Sequence, residues 1–136
     1  MIKSDYLLGM IGAMSEAIGQ IIFNRERGRH REAEEIAKEE YMTLMGMPLN
    51  MILSLPAESL LDFLTTYGDL DPRKALMLVD LLTEDANTRE DAGETELSQA
   101  IFQKCEALLN ALDRYEWDDD DVLEAIDQRM AAFGID

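Results

Sequence analysis

Cysteine, histidine and proline are all scarce in this sequence, and each scarcity bears on a structural feature: disulfides, metal sites or helix breaks. The single cysteine, Cys105, cannot form an internal disulfide. Zinc sites and di-iron bundles normally use several histidine ligands, whereas this sequence has one histidine, His30, and no Glu-x-x-His pair. Three prolines in 136 residues leave long stretches free to form helices. We therefore expect no metal site and no cofactor.

Signals for strands and for catalytic motifs are also lacking. No segment alternates β-branched or aromatic residues around a hairpin turn, whereas the helix formers Leu, Ala, Glu and Met are abundant. The run Asp118–Asp121 lacks the glycine and glutamate spacing of an EF-hand loop and is better explained as a helix cap. No glycine-rich phosphate loop follows a predicted strand. We expect an all-α protein with no catalytic residues, and no enzymatic activity.

Positive charge is scarce as well. The chain has 12 Lys and Arg against 29 Asp and Glu, a formal net charge of −17. The imbalance lies in residues 48–136, where six basic residues face 21 acidic ones. Nucleic acids and anionic membranes need a basic footprint, so we expect neither as a direct partner. A basic protein partner is favoured, and an acidic decoy that mimics nucleic acid stays open as an alternative.

An apolar stretch of 18 residues, Tyr6–Phe23, approaches the length of a membrane span. It contains Glu16, Gln20 and three glycines, and Asp5 lies beside its start. A signal peptide has a positive start and an unbroken apolar run. The stretch is therefore interpreted as a packed amphipathic helix, and the protein is expected to be cytoplasmic.

Apolar residues at steps of three and four predict that this first helix runs from about residue 5 to 27, capped by Ser4 or Asp5. Its buried face is predicted to be Leu7, Ile11, Met14, Ile18 and Ile21. Glycine inside a helix costs about 1 kcal/mol relative to alanine, and close approach of another helix would offset that cost. The candidate dimer face is therefore Gly9, Gly12 and Gly19.

Glycine and proline divide the predicted single domain, residues 1–136, into four segments. They are a helical hairpin over residues 5–45, an irregular middle over 46–70, a second hairpin over 72–116 and a C-terminal helix over 120–133. Gly28 and Gly93 supply the two hairpin turns, and Asp71-Pro72 opens the second hairpin as cap and first helical residue. The fold is predicted to be an array or bundle of antiparallel helical hairpins with about six to seven helices.

Two helices are predicted in more detail. Residues 75–82 are apolar almost all round, which is typical of a central helix. A helix after Pro56 is predicted to end at Gly68 and to carry Leu60, Leu61, Phe63, Leu64 and Tyr67.

The paired antiparallel helices with a glycine at the turn resemble the tetratricopeptide class of helical repeat. In the first hairpin the resemblance rests on Gly28 followed by Ala33, Ala37 and Tyr41. In the second it rests on Gly93, Ala100 and Ala107, although the Trp and Leu-Gly of the repeat are missing from both. The resemblance implies a groove between hairpins that binds a peptide or protein.

The whole chain is also similar to an uncharacterised family of small bacterial all-helical proteins with tetratricopeptide-like hairpins. The residues that carry this similarity are Asp5-Tyr6, Arg27-Gly28, Leu44-Met45-Gly46-Met47 and Leu60-Leu61. The family has no known activity, so the similarity implies a fold and no function.

The strongest basic feature brackets the first turn, and it consists of Arg25, Arg27, Arg29, His30 and Arg31. Arginine forks bind carboxylate and phosphate, and a helix N-terminus beside the turn would help. The alternative is a solvated turn whose arginines pair with neighbouring carboxylates.

The leading functional hypothesis is a non-catalytic interaction or adaptor module that binds a protein or peptide. Homodimerisation through the glycine face is a second hypothesis. A small anionic-ligand binder or enzyme that uses residues 25–31 is a third, and the acidic decoy is a fourth.

Overall fold

The helices of this protein follow the apolar periodicity of its sequence. The computed structural model describes residues 2–66 and 68–135, and within them it has seven helices and one short hairpin. In chain order these are α1 (Ile2–Glu26), α2 (His30–Met45), α3 (Leu49–Ser54), α4 (Ala57–Asp62), β1 (Thr65–Thr66), β2 (Asp69–Leu70), α5 (Pro72–Asp91), α6 (Thr95–Asp113) and α7 (Asp120–Ala132). The predicted all-α fold, a bundle of helices packed against each other, is confirmed.

α1 and α2 form the first hairpin. The predicted inner face of α1 is confirmed, since Leu7, Met14 and Ile21 are buried and the intervening isoleucines pack against the core. Gly28 adopts a positive φ of 73° at the turn, as predicted. The predicted cap at Ser4 or Asp5 is wrong, because α1 begins at Ile2 and the helix runs through both residues.

α5 lies at the centre of the bundle, where it packs against α1, α2, α6 and α7. Its apolar segment is buried as predicted, including Leu78, Leu81 and Leu82, which are fully buried. Asp71 caps the helix, and its carboxylate accepts a hydrogen bond from the Arg73 backbone N–H at 3.0 Å. α5 belongs to the second hairpin, with α6, and it also contacts α1 and α2 of the first. It therefore joins the two hairpins into one continuous core.

In the middle of the chain, residues 49–54 form α3, which is one of the two alternatives that the sequence leaves open there, a short helical turn or an anchored loop. After Asp62 the chain is less helical than predicted. The predicted helix ending at Gly68 is wrong: α4 ends at Asp62, and Thr65 and Thr66 pair antiparallel with residues 69–70. β-Branched threonines and a glycine at φ 85° favour such a hairpin over helix. Tyr67, predicted to lie on that helix, is outside the described residues.

The glycines of α1 do not serve packing within the chain. A Cβ atom built at Gly9, Gly12 or Gly19 would meet no other atom within 4 Å. No other helix of the described chain therefore approaches them closely, and the dimer face at Gly9, Gly12 and Gly19 stays a prediction. The reason for the open space is geometric, because α2 and α5 pack on the opposite side of α1, the side that carries Met14 and Ile21.

α7 closes the C-terminal side of the bundle against α6 and α5. Asp119 caps it, with its carboxylate accepting from the Asp121 backbone N–H at 2.9 Å, as expected of the aspartate run. Arg129 donates to both carboxylate oxygens of Asp80, each at 2.8 Å, and so ties α7 to α5.

Candidate functional site

Three features of the molecule are candidate sites: the outer surface of α1, the arginine-rich turn and a buried polar cluster beneath a cavity. The outer face of α1 is defined by residues at steps of three and four along its exposed side. These residues are Gly9, Gly12, Glu16, Gly19 and Phe23. Glu16 is the one charged residue between Tyr6 and Phe23.

The large apolar side chains of Tyr6 and Leu8 flank this outer face, and Phe23 belongs to it. Tyr6 is 70 % exposed, Leu8 59 % and Phe23 42 %. A groove of about 370 Å³ adjoins the face between α1 and α2, and its lining is Tyr6, Gly9, Met10, Ala13, Met14, Glu40 and Thr43. The surface is thus apolar, flat at the glycines and indented beside them.

α1 is also long and apolar enough to cross a membrane. Its segment Tyr6–Glu26 has a mean hydropathy of 1.4, and 22 % of its most apolar window is buried in the bundle. Core helices, membrane spans and signal sequences share such length and composition. The inner face of α1 packs against α2 and α5.

The arginines of the first turn do not converge on one point. Arg25 lies against α5, where it donates to the Glu84 carbonyl at 3.0 Å and pairs with the Glu84 carboxylate at 2.9 Å. Arg27 stacks 3.5 Å above the Phe23 ring. Arg29 and Arg31 are exposed. Arg25 is therefore occupied by an internal ion pair, and anion binding by residues 25–31 stays a prediction.

A buried polar cluster joins α2 to α5. The Tyr41 hydroxyl donates to Asp85 Oδ2 at 2.6 Å, and Arg89 Nε donates to Asp85 Oδ1 at 3.2 Å. Asp85 is completely buried and Tyr41 is 1 % exposed. Burial of an unpaired carboxylate is costly, so two donors that converge on Asp85 are what makes its position tolerable.

Two more carboxylates extend the cluster toward solvent. Arg89 Nη1 lies 3.3 Å from Glu34 on α2 and 3.6 Å from Glu94 in the turn before α6. A cavity of about 460 Å³ opens beside Glu34 and Arg89, and its lining is Glu34, Glu35, Lys38, Tyr41, Pro48, Leu49, Asn50, Leu53, Arg89 and Leu97. Six of the ten lining residues are polar or charged, whereas small-molecule sites are lined mainly by apolar side chains.

Burial shifts the ionisation of the cluster. It raises the pKa of Asp85 above its ordinary 3.8, against the opposing hydrogen bonds from Tyr41 and Arg89. Burial and a hydrogen bond with Glu94 raise the pKa of Glu34 above 4.5. Burial and the neighbouring Asp85 raise the pKa of Tyr41 well above 10, so the phenol stays a neutral donor.

The direction of these pKa shifts determines how the free energy of unfolding changes with pH. A carboxyl whose pKa is higher in the folded state binds its proton more tightly there. The contribution of Asp85 and Glu34 is therefore greatest below the ordinary carboxyl pKa, and it is lost as pH rises through their raised values.

The single thiol lies in a different environment. Cys105 is fully buried on α6, near the Thr83 hydroxyl at 3.7 Å and the Val79 carbonyl at 3.8 Å. Burial raises its pKa to about 12. A thiol with that pKa is not a nucleophile at neutral pH. In the described part of the chain, no group of three or more His, Cys, Asp or Glu side chains is placed to hold a metal ion.

Sequence reasoning missed the buried cluster. Asp85 follows Leu78 and Leu82 at steps of four and three, so its position on the apolar stripe of α5 was readable. Arg89, four residues further on, is at the spacing for a helical ion pair. The hydrogen bond from Tyr41 to Asp85 could not be predicted from the sequence, since Tyr41 lies on α2, 44 residues away in the chain.

Comparison with known proteins adds no further constraint. No protein-family model matches the sequence, and no curated protein or solved structure is significantly similar to it. The similarity to tetratricopeptide-like proteins therefore stays a prediction from the residues, and function has to be argued from the surfaces and sites of this chain.

Proposed function

We propose that this chain is a non-catalytic protein-interaction module whose docking surface is the outer face of α1. One observation carries the proposal: α1 is the most apolar long helix of the chain, yet no other helix covers its glycines, and only the Arg27 side chain lies over its outer face, at Phe23. Exposed apolar surface of this kind in a folded protein typically marks an interaction site.

The glycines specify what kind of partner fits. Three helical glycines cost about 1 kcal/mol each relative to alanine, and packing within the chain uses none of them. A surface without Cβ atoms lets the backbone of a second helix approach closely, and the adjoining groove between α1 and α2 has room for one of its apolar side chains. The partner element is therefore an apolar helix.

Charge favours a different protein over a second copy. Glu16 lies at the middle of the outer face, between Gly12 and Gly19, so two copies packed face to face would oppose one carboxylate with another. The net charge of −17 adds repulsion between copies. A partner helix with a lysine or arginine opposite Glu16 would instead form an ion pair, which agrees with the expectation of a basic partner.

Two further features support a non-catalytic role. Burial raises the pKa of the Cys105 thiol to about 12, so the thiol is not a nucleophile at neutral pH. His30, which could act as its base, lies on a different helix. The packing of α5 against both α1 and α2 is the contact expected when one helical hairpin stacks on another, as in scaffolds that present binding surfaces.

The test is an affinity capture from the native lysate at moderate salt with matched variants, read by mass spectrometry. Gly12→Leu adds bulk at the centre of the outer face, where the chain itself has open space, and leucine favours helix. Glu16→Lys reverses the central charge. Gln103→Leu, at an exposed position of α6, adds the same leucine elsewhere and serves as the control.

The proposal predicts one stoichiometric protein that is captured by the wild type and the Gln103→Leu control and lost with Gly12→Leu and Glu16→Lys. Equal capture by all four chains would overturn it. A dimer in light scattering that Gly12→Leu abolishes would assign the face to a second copy instead. Membrane docking would give the opposite sign, because the added leucine would strengthen sedimentation with phosphatidylcholine vesicles.

A further inference from the structure

The groove between α1 and α2 adjoins the outer face of α1, and its two sides differ in character. It has a volume of about 370 Å³, and α1 supplies its largely apolar side, which is Tyr6, Gly9, Met10, Ala13 and Met14. α2 supplies Glu40 and Thr43, which lie three positions apart and therefore on the same side of that helix. The groove thus has an apolar wall from one helix and a polar edge from the other.

We propose that this groove receives a basic side chain, an arginine or a lysine, from the apolar helix that docks on the outer face of α1. The aliphatic stem of that side chain lies against Met10, Ala13 and Met14, and its cationic head pairs with the carboxylate of Glu40. The inference rests on the proposed docking role of the outer face and specifies the partner further. The contact made in the groove is apolar along the stem and ionic at its end.

Glu40 carries a charge that its surroundings do not offset. It is the one charged residue among the described residues that line the groove. Among the side chains that the structure describes, none pairs with its carboxylate, and no Lys or Arg stands three or four positions from it on α2. Partial burial and the neighbouring Glu39 both raise the pKa of Glu40. A cation placed in the groove would therefore relieve an unfavourable environment.

The second cavity of the molecule shows the contrast. There the carboxylate of Glu34 lies 3.3 Å from Arg89 Nη1, so its charge is already paired within the chain. Lys38 also lines that cavity and does not line the groove. The two carboxylates belong to the same helix, α2, and the one in the groove is the one that a partner can neutralise.

Thr43 adds a second acceptor to the polar edge. Its hydroxyl donates to the Glu39 backbone carbonyl at 3.1 Å, so the oxygen keeps its lone pairs for an incoming N–H group. Ammonium and guanidinium groups only donate hydrogen bonds, which suits an edge made of a carboxylate and an acceptor hydroxyl. An incoming carboxylate or phosphate would instead be repelled by Glu40.

The wall from α1 suits the stem of a long basic side chain. Lysine and arginine cover apolar surface with their methylene groups and keep the charged head at the edge. Met10 and Met14 carry flexible thioethers that adapt to the shape of such a stem. Tyr6 is 70 % exposed, so its ring is accessible to the cation. A purely apolar side chain would cover Glu40 without giving it a partner, which costs free energy.

The experiment is an NMR titration of the full chain, labelled at its methionine methyls, with two capped peptides of identical composition. Each consists of alanine, leucine, glutamine and a single arginine, and each has about 16 residues, enough to form a helix. In the first peptide the arginine lies in the middle of the apolar face. In the second it exchanges places with a glutamine on the opposite face. The methyls of Met10 and Met14 report on the groove, and the methyl of Met130, buried on α7, is the reference.

We expect the first peptide to bind at least about fivefold more tightly than the second, since both carry the same charge and only the first can place it on Glu40. Glu40→Gln should bring this ratio of affinities to about one. Glu35→Gln is the control, because it makes the same substitution at an exposed position of α2 that does not line the groove. It should leave the ratio unchanged.

The groove inference and the docking proposal fail in different ways. Equal affinity of the two peptides, equal effects of Glu40→Gln and Glu35→Gln, or no saturable shift at Met10 and Met14 would each overturn the groove inference. The docking role is decided separately by the capture experiment. Capture that is lost with Gly12→Leu and unchanged with Glu40→Gln would support docking on the outer face and overturn the basic side chain in the groove.

Discussion

Replacement of Tyr41 by phenylalanine tests the buried polar cluster most directly. The substitution removes only the hydroxyl oxygen and keeps the ring, which is 1 % exposed and packed in the core. The lost group is the donor of the 2.6 Å hydrogen bond to Asp85 Oδ2. Asp85 keeps Arg89 on its other oxygen at 3.2 Å, so one of two buried carboxylate oxygens is left without its donor.

The magnitude depends on the charge of the acceptor. Hydrogen bonds to charged groups contribute roughly 1.5–3 kcal/mol, and the cavity left by one oxygen atom is small. We therefore expect Tyr41→Phe to lower the free energy of unfolding by about 2 kcal/mol at neutral pH. The hydrogen bond from Tyr41 lowers the pKa of Asp85, so it stabilises the ionised form. The cost should accordingly shrink in acid, as Asp85 becomes protonated.

Urea denaturation followed by circular dichroism measures this cost. Tyr115→Phe is the control, because Tyr115 is 45 % exposed and surface substitutions usually change stability by less than about 0.5 kcal/mol. A double-mutant cycle of Tyr41→Phe with Asp85→Asn should give a coupling energy of about 1 kcal/mol or more. If Tyr41→Phe costs no more than the control and the coupling is zero, this hydrogen bond does not hold α2 to α5.

The remaining predictions concern the core, the C-terminal helix and pH. Leu82→Ala removes a fully buried side chain from the central helix and should cost about 2–5 kcal/mol in urea denaturation; a cost near that of a surface change would contradict the central position of α5. Arg129→Met breaks the paired 2.8 Å contacts to Asp80, and because both groups are partly exposed the cost should be about 1 kcal/mol. Amide exchange in α7 should then quicken while exchange in α1 stays unchanged. Because folding raises the pKa of Glu34, its contribution to stability should grow as pH falls through that raised pKa and be complete below its ordinary value of 4.5. Glu34→Gln should lessen that pH dependence, and an unchanged profile would contradict the assigned direction.

Local interactions explain what could be predicted from the sequence. The apolar spacing of Leu7, Met14 and Ile21 requires that one side of α1 be buried, since no other arrangement removes all three from water. Asp71-Pro72 determines where α5 begins, because an aspartate cap and a proline at the first helical position act within a few residues. The glycine turn at Gly28 is local for the same reason.

Errors arose where two local preferences competed. After Pro56 the apolar spacing of Leu60, Leu61 and Leu64 indicated a helix through to Gly68. The paired β-branched residues Thr65-Thr66 instead form a short ladder with residues 69–70, and α4 ends at Asp62. The leucines are buried in either arrangement, so burial alone did not discriminate between them.

The composition and periodicity of this chain by themselves determined that it is built of helices, which faces of those helices are apolar and how acidic it is. Only the tertiary structure decided that no other described helix covers the glycines of α1, that Arg25 pairs with Glu84, and that Tyr41, Asp85 and Arg89 meet beneath a cavity. The reason is physical. Helix formation and capping depend on neighbours within a turn or two, whereas a cavity and its charges depend on which helices pack together, and that is set by contacts between residues tens of positions apart.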